Sequence, residues 1–277
     1  MTEATVNPNK ALWEQGDFTR IAATMRGSGE AFVAALGIEP GLRVLDLGCG
    51  DGTTALPAAR RGAEVTGVDI AANLVAAGTA RAAAAGLADV SFQEGDAADL
   101  RDLADGSFDL VVSVFGAMFA PRPFDVAKEM VRVTRPGGRI AMGNWIPGDP
   151  TLVAQLLRIS AAYAPPPPAG FVSPVTWGVE NDVVGRFAAA GIPAGRISCT
   201  RETWTFEHPG PPGELLETFR DYYGPTMNAY AAAAAASRAA DLDAELRELF
   251  DAQNAAADGT TRIPATYLRA IVQVDRE

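Results

Sequence analysis

The chain has 277 residues and a formal net charge of −11, with 34 acidic against 23 basic side chains. This acidic balance argues against a nucleic-acid substrate, because proteins that bind phosphate backbones normally present a basic face. A single histidine and two cysteines, Cys49 and Cys199, leave almost no ligands for a structural zinc site, and we predict two free thiols.

The longest apolar stretch, residues 108–120, is shorter than the roughly 20 residues that cross a bilayer, and it contains Asp109. The N-terminal residues carry acidic and amide side chains where a signal peptide would carry basic residues and then an apolar run. We therefore predict a cytoplasmic protein without membrane attachment.

The chain is predicted to begin with helices and then, up to residue 144, to alternate between strands and helices. Residues 10–36 have apolar positions at helical spacing, with a predicted break at Gly27, Ser28 and Gly29. Strands are predicted at residues 43–47, 64–68, 90–94, 110–115 and 139–144, and helices at 53–61, 73–85 and 124–134. Repeated strand–helix units of this length indicate a parallel sheet with right-handed crossovers.

The pattern changes after Trp145. Helices are predicted at residues 152–163, 182–190 (with Asn181 as the N-cap), 215–223, 231–236 and 241–254, and strands at 196–206 and 266–274. Residues 165–168 are a stiff polyproline stretch. Because no repeat or long linker divides the chain, we predict a single domain over residues 1–277. Residues 36–145 form its core, and residues 1–35 and 146–260 supply cap, lid and substrate-binding elements.

The most informative motif begins at the end of the first predicted strand, where Asp46 is followed by Gly48, Gly50 and Gly52. Glycines let the backbone turn tightly and approach a ligand without a Cβ in the way. A second acid, Asp69, ends the second strand 21 residues after Gly48. Doubly wound folds place an acid at this distance to accept both ribose hydroxyl protons. The motif therefore predicts a nucleoside-containing ligand.

Residues 36–145 resemble the class I S-adenosylmethionine-dependent methyltransferases. The glycine spacing after Asp46 differs from the G-x-G-x-x-G of dinucleotide enzymes. Gly95-Asp96-Ala97, the strand at 108–113 and the turn at 135–138 stand in the order expected of that family. The resemblance implies an α/β fold with a Rossmann-like, seven-stranded, mostly parallel sheet and helices on both faces. It also implies N-terminal helices and a helical or lid insertion after strand five.

The resemblance also implies a cofactor, S-adenosyl-L-methionine, and a product, S-adenosyl-L-homocysteine. The implied cofactor residues are Asp46, Gly48, Cys49 and Gly50 around the methionine half, Asp69 at the ribose, Ile70, Asp96 and Ala97 at the adenine, and Ser113 beside the sulfonium. Besides the cofactor motifs, residues 12–18, 116–121 and 223–226 are similar to a UbiE-like group of small-molecule methyltransferases.

Residues that could act as a general base are scarce. His208, in a proline-rich loop, and Tyr222 are the catalytic candidates. No acidic cluster follows strands four and five, so we predict that no metal is used. This scarcity favours an acceptor that ionises easily or needs no deprotonation, such as a phenol, a thiol or an aromatic amine.

Aromatic side chains are the candidates for an apolar substrate pocket and lid. They are Trp13, Phe18, Phe115, Phe119, Trp145, Phe171, Trp177 and Tyr222. The pocket proper is predicted to contain Trp13, Phe18, Met118, Trp145 and Tyr222. Trp145 follows strand five at the carboxyl edge of the sheet, where doubly wound folds bind their ligands.

The leading interpretation is methyl transfer to O, N or S of a small, aromatic or apolar molecule by in-line displacement. A nicotinamide-dependent oxidoreductase and a non-catalytic S-adenosylmethionine-binding protein are the alternatives, because a binding motif does not prove catalysis. The expected partner is a small-molecule substrate, and we expect no binding to nucleic acid or to a membrane. The protein is expected to be a monomer or a homodimer.

Overall fold

The computed structural model describes Asn7 and residues 9–275, and its centre is a seven-stranded mixed sheet. The strands are β1 (Arg43–Leu47), β2 (Glu64–Asp69), β3 (Val90–Glu94), β4 (Phe108–Val114), β5 (Thr134–Trp145), β6 (Ile197–His208) and β7 (Thr261–Gln273). Their order across the sheet is β3-β2-β1-β4-β5-β7-β6. Strands β1 to β5 pair in parallel, and β7 runs antiparallel to both β5 and β6. The Rossmann-like, mostly parallel sheet expected from the sequence is confirmed.

Helices cover both faces of the sheet and extend beyond its carboxyl edge. They are α1 (Asn9–Gln15), α2 (Phe18–Ala23), α3 (Arg26–Ala34), α4 (Ala55–Arg60), α5 (Ala72–Ala84), α6 (Pro123–Val133), α7 (Leu152–Tyr163), α8 (Glu180–Ala189), α9 (Pro212–Tyr222), α10 (Gly224–Ala235) and α11 (Ala239–Gln253). Short 3₁₀ turns occur at Ala117–Phe119, Pro174–Gly178 and Ala194–Arg196. Within the described residues, no helix is both long and apolar enough to cross a membrane.

Strand β4 shows why the middle of the sheet was predictable. Leu110, Val111 and Val112 are all buried, although successive side chains of a strand point to opposite faces. A strand covered on both faces reads as a continuous β-branched run, and such runs are typical of parallel sheets. Strand β4 lies between β1 and β5 in the middle of the sheet, which explains why both of its faces are buried.

The N-terminal region forms three helices, and the predicted break at residues 27–29 is wrong because these residues lie inside α3. Gly29 serves close packing, since a Cβ there would lie 2.6 Å from the Cγ2 of Thr53. The chain turns instead at Asp17, whose carboxylate accepts a hydrogen bond from the amide of Thr19 at 3.2 Å and caps α2.

Several other boundaries differ from the sequence prediction, with large shifts at the starts of α10 (Gly224 instead of residue 231) and β7 (Thr261 instead of residue 266). Asn181 lies inside α8, because the helix begins at Glu180 with Val179 in the N-cap position. Strand β5 begins at Thr134 rather than after the Pro136-Gly137-Gly138 turn, and its register with β4 shifts across those residues. The turn is therefore an irregularity inside a long strand.

Candidate functional site

The site begins at the loop after β1, which is shaped by a close approach of two glycines. The amides of Gly48 and Cys49 donate to the carbonyl of Val68 at 2.7 and 3.1 Å and bring the loop against β2. Gly48 has φ +69°, and a Cβ at this position would lie 2.6 Å from the Cα of Gly116. Only glycine meets both conditions without strain, so this position determines how closely the loop after β1 packs on the loop after β4.

Asp46 lies beneath this loop and is fully buried. Its Oδ2 accepts a hydrogen bond from the hydroxyl of Thr54, while no described residue donates to its Oδ1. Burial raises the pKa of Asp46 to about 7, and the Thr54 hydrogen bond opposes that rise. Asp46 does not line the cavity described below, so it supports the loop from behind.

Asp69, at the end of β2, is the acid that the fold presents to the cavity. Its Oδ2 accepts from the amide of Gly50 at 2.8 Å, and its Oδ1 accepts from the amide of Ala71 at 2.9 Å. Burial raises its pKa above the ordinary value, and these backbone hydrogen bonds act in the opposite direction. A carboxylate held in this way has lone pairs left to accept from a ligand's hydroxyl groups.

Other acids along this edge are held by neighbouring groups. Asp51 is buried and forms ion pairs with Arg26 and Arg81, so its charge is neutralised within the protein. Asp96 accepts from the amide of Ala98 at 2.9 Å and lies 3.8 Å from a guanidinium nitrogen of Arg122. These contacts fix the two carboxylates as parts of the wall.

Helix α1 closes over the same edge. The ammonium of Lys10 donates to the carbonyl of Ile70 at 2.8 Å and pairs with Glu94 at 2.9 Å. The carboxylate of Glu14 accepts from the amide of Ala72 at 3.1 Å. Helix α1 is therefore attached to the loops after β2 and β3.

One cavity, open to solvent at its mouth, connects this polar edge to a wall of aromatic rings. The aromatic lining residues are Trp13, Phe18, Phe115, Phe119, Trp145, Trp204, Phe206, Phe219 and Tyr223. Register explains part of this wall, because Trp145 pairs with Tyr267 and Trp204 pairs with Ala265 on alternate positions of one sheet face.

Phe115 is the most unusual residue of the wall. Its φ of +59° is rare for a bulky side chain and marks local backbone strain. The ring stacks on Trp145 with centroids 3.6 Å apart and meets the edge of Trp204 at 5.0 Å. The strained turn at the end of β4 thus directs an aromatic ring across the floor of the cavity.

Most of the residues singled out from the sequence come together at this cavity. The predicted residues that line it are Gly48, Cys49, Gly50, Asp69, Ile70, Asp96, Ala97, Trp13, Phe18 and Trp145. Burial raises the pKa of the Cys49 thiol well above its ordinary value, so the side chain stays a neutral wall group. Phe115 and Phe119, from the wider aromatic set, also line it.

Other predicted residues lie elsewhere, in addition to Asp46. The Ser113 hydroxyl bonds to the carbonyl of Leu47 at 2.6 Å and accepts from the amide of Ala117, so it ties β4 to β1 behind the wall. Met118 is buried in the core, while its two chain neighbours line the cavity.

The two catalytic candidates also lie outside the cavity wall. His208 is the last residue of β6, and its Nε2 lies 3.3 Å from a carboxylate oxygen of Glu214. Tyr222 is 37% exposed, because α9 ends there and the next residue, Tyr223, turns inward. Phe171 is exposed in a loop, and Trp177 is buried against Phe187.

Four aromatic residues of the wall were not predicted from the sequence: Trp204, Phe206, Phe219 and Tyr223. Trp204 and Phe206 alternate along β6, and this period indicates a shared face, but the sequence does not show which face meets the cavity. Phe219 and Tyr223 are four residues apart, about one helical turn, so they were recognisable as a pair on one face of the helix predicted at residues 215–223. Among the described residues, no group of three or more His, Cys, Asp or Glu side chains is arranged to hold a metal ion.

The chain was compared with known proteins. Residues 45–142 match a methyltransferase domain family. An uncharacterized protein of Mycobacterium tuberculosis is 38% identical over 249 residues, which cover 89% of this chain and 88% of the relative. The demethylmenaquinone methyltransferase of Beutenbergia cavernae is 41% identical over 115 residues, 42% of this chain and 45% of that protein. The nocamycin O-methyltransferase of Saccharothrix syringae is 43% identical over 111 residues, 39% of each chain.

Solved structures share the fold at low sequence identity. The phosphoethanolamine N-methyltransferase 2 of Haemonchus contortus, solved with phosphomonomethylethanolamine and S-adenosylhomocysteine, aligns with a TM-score of 0.61 and 18% identity. The alignment covers 98% of this chain and 61% of that one. A methyltransferase from Bacillus halodurans aligns with a TM-score of 0.58 and 15% identity, over 90% of this chain and all of the other.

Proposed function

Since this chain belongs to the class I S-adenosylmethionine-dependent methyltransferases, we propose that it methylates O, N or S of a small, aromatic or apolar molecule. The observation that carries the proposal is the single cavity, which joins the Asp69 edge to the aromatic wall. A ligand at the polar edge and an apolar acceptor against the rings would share one enclosed space. We also propose that the chain is a UbiE-like member of the family and uses no metal.

The residues of the polar edge fit the cofactor. Asp69 suits a pair of ribose hydroxyls, and the loop beside Gly50 leaves open space, since a Cβ there would meet only Phe18 at 4.0 Å. Asp46 keeps a buried oxygen without a donor below the loop. No described lining residue is a lysine, an arginine or a histidine, which suits a cationic ligand better than a pyrophosphate.

When bound, S-adenosylmethionine supplies an electrophilic methyl group on a sulfonium. The chain's own contribution is to hold the acceptor in line with that methyl group and to exclude water. Such positioning is worth up to about 7–11 kcal/mol of a reaction barrier. The rings of Phe115 and Trp145 form an apolar floor, and aromatic faces also tolerate a nearby cation.

The titratable groups of the wall are committed to other roles. Asp51 is ion-paired, Asp69 and Asp96 accept backbone hydrogen bonds, and burial raises the pKa of the Cys49 thiol and of Tyr223. We therefore propose an acceptor that loses its proton readily, such as a phenol or a thiol. The partial relatives named for demethylmenaquinone and nocamycin support a small-molecule acceptor.

The test is calorimetric titration of the wild-type protein with S-adenosylmethionine, S-adenosylhomocysteine and NADH. We expect micromolar binding of the two adenosyl ligands and none of NADH. The Asp69→Asn variant should bind S-adenosylhomocysteine at least about tenfold more weakly, because a hydrogen bond to a charged group is worth roughly 1.5–3 kcal/mol.

Asp149→Asn is the matched control. Asp149 is also a buried aspartate that accepts from a backbone amide, that of Thr151 at 2.9 Å, but it does not line the cavity. Asp149→Asn should bind S-adenosylhomocysteine with the same affinity as the wild type. Binding of NADH, or equal losses in the two variants, would contradict the proposed cofactor site. If the adenosyl ligand binds, a screen of phenols and thiols for product S-adenosylhomocysteine tests turnover, and folded protein inactive on every acceptor would favour the non-catalytic alternative.

A further inference from the structure

Tyr223 lies where the polypeptide turns from α9 into α10, among the aromatic residues of the cavity wall. It is 6% exposed and lines the cavity. The rings of Phe219, Trp13 and Phe18 surround it, with centroids 5.4, 6.0 and 6.2 Å away. Its ring is therefore packed among other rings, and burial raises the pKa of its hydroxyl, which remains a neutral hydrogen-bond donor.

The hydroxyl of Tyr223 differs from the other oxygen-bearing side chains of the wall, and the indole nitrogen of Trp204 is a second lining donor without a partner among the described residues. Seven other described lining residues carry a side-chain oxygen, and each has a polar side-chain atom bonded within the protein, as Asp69 has with Gly50 and Thr54 has with Asp46. No hydrogen bond among the described residues involves the Tyr223 hydroxyl. A hydroxyl that lines a binding cavity and has no hydrogen-bond partner in the described protein is available to a ligand atom.

We infer that Tyr223 is a specificity residue whose hydroxyl donates a hydrogen bond to an oxygen of the acceptor molecule. The inference rests on the proposed function and narrows the acceptor to an uncharged aromatic compound with a carbonyl or ether oxygen. Carboxylates and phosphates are disfavoured, since the described cavity wall offers them no cationic side chain. Tyr223 positions the acceptor and takes no proton from it.

The experiment uses protein loaded with S-adenosylhomocysteine and two probes of similar shape, 1-tetralone and tetralin, of which only the first has a carbonyl. Dissociation constants are measured by calorimetry for the wild type and for Tyr223→Phe. The quantity of interest is the preference for 1-tetralone over tetralin. Tyr223→Phe should reduce this preference roughly 3- to 10-fold, the range of one neutral hydrogen bond. Tetralin binding should be unchanged, because the removed oxygen has no partner in the protein.

Tyr222→Phe is the matched control, because the neighbouring tyrosine is 37% exposed and does not line the cavity. It should keep the wild-type preference. An equal preference in wild type and Tyr223→Phe, or no 1-tetralone binding by the loaded wild type, overturns the inference. Tyr223→Met repeats the measurement if the phenylalanine variant does not fold. Failure of S-adenosylhomocysteine itself to bind would instead overturn the proposed function, so the two failures are distinguishable.

Discussion

The two ends of the cavity are built in different ways. At the polar end, Asp46 and Asp69 stand on two neighbouring strands and Gly48 follows β1, and these residues are held by backbone hydrogen bonds and a nearby hydroxyl. At the aromatic end, the rings come from α1, α2, β5, β6, α9, the segment after β4 and the turn between α9 and α10, and they pack against one another. The polar end is thus organised by local backbone geometry, and the aromatic end by tertiary packing. A substitution at the polar end should therefore weaken cofactor binding, and a substitution at the aromatic end should weaken acceptor binding.

The largest expected effect is at the aromatic end. Trp145→Ala removes a buried ring stacked on Phe115 at 3.6 Å, and such truncations cost about 3–5 kcal/mol of unfolding free energy. Binding of 1-tetralone should weaken at least about tenfold, because a large aromatic contact surface is lost. S-adenosylhomocysteine binding should change less than about threefold, which is under 1 kcal/mol. Urea unfolding and calorimetry measure these quantities.

Trp177→Ala is the control for this experiment. Trp177 is equally buried but packs against Phe187 and Arg186 and does not line the cavity. It should lose a similar unfolding free energy and keep the affinity for both ligands. If Trp177→Ala also abolished 1-tetralone binding, general destabilisation would explain the loss, and the division between the two ends would be wrong.

The next largest effect is at the polar end. Gly48→Ala puts a side chain at φ +69° and a Cβ 2.6 Å from the backbone of Gly116. The backbone conformation costs about 1–2 kcal/mol, and the overlap adds about 1–3 kcal/mol. S-adenosylhomocysteine affinity should fall at least about tenfold, since the loop has to move. Chemical unfolding and calorimetry again provide the readout.

Gly86→Ala separates the two causes. Gly86 has φ +65°, but a Cβ there would meet nothing within 4 Å. It should cost only the conformational part, about 1–2 kcal/mol, and leave ligand affinity unchanged. Equal losses of stability and affinity in the two variants would show that the close approach to Gly116 is unimportant.

The same contrast explains what the sequence could and could not predict. The loop from Asp46 to Gly52 and the position of Asp69 were predictable, because spacing along adjacent strands determines them. Tyr223 was missed in favour of Tyr222, because the end of α9 decides which of the two side chains turns inward. Residues 27–29 were predicted as a break because glycine disfavours helices, whereas tertiary packing against Thr53 requires Gly29.

Aromatic identity alone was also insufficient to assign the pocket. Trp145 and Trp177 are both buried tryptophans, yet of these two only Trp145 lines the cavity. The register of β5 and β6 with β7 places Trp145 on the same face of the sheet as Trp204. Side chains such as Met118 and Ser113 lie one layer behind the wall, and the sequence contains no signal that separates one layer from the next.

A pH-dependent effect comes from Asp46, whose pKa in the folded state is raised to about 7. The unfolded value is about 4, so between about pH 4 and 7 the folded state holds a proton that the unfolded state has released. The free energy of unfolding therefore falls as pH rises through this window. Relative to Asp46→Asn, the wild type should lose about 2–3 kcal/mol between about pH 5 and pH 7.5.

Urea unfolding of the two proteins at both pH values measures this difference. Asparagine keeps the shape and an acceptor for Thr54 but does not titrate, and contributions of groups that do not interact with Asp46 cancel in the comparison. Parallel pH profiles would show that Asp46 remains ionised under the loop, and its role as a neutral support would then be wrong.

The smallest expected effect concerns the helix that joins the two ends. Lys10 attaches α1 to Ile70 and Glu94 at the polar edge, while Trp13 of the same helix packs on Phe119 of the aromatic wall. The side chain of Lys10 is 35% exposed, so solvent screens its ion pairs, and Lys10→Met should cost no more than about 0.5–1 kcal/mol.

The informative readout for Lys10→Met is ligand affinity as a function of salt. S-adenosylhomocysteine binding should weaken about two- to fourfold at low salt and approach the wild-type value at high salt, where surface ion pairs are screened. Lys128 is the chain's other lysine and is exposed on α6, so Lys128→Met is the control and should change neither affinity nor its salt dependence. A loss that persists at high salt would mean that the hydrogen bond to the Ile70 carbonyl, rather than the charge, holds α1 in place. The helix would then couple the two ends of the cavity through backbone contact.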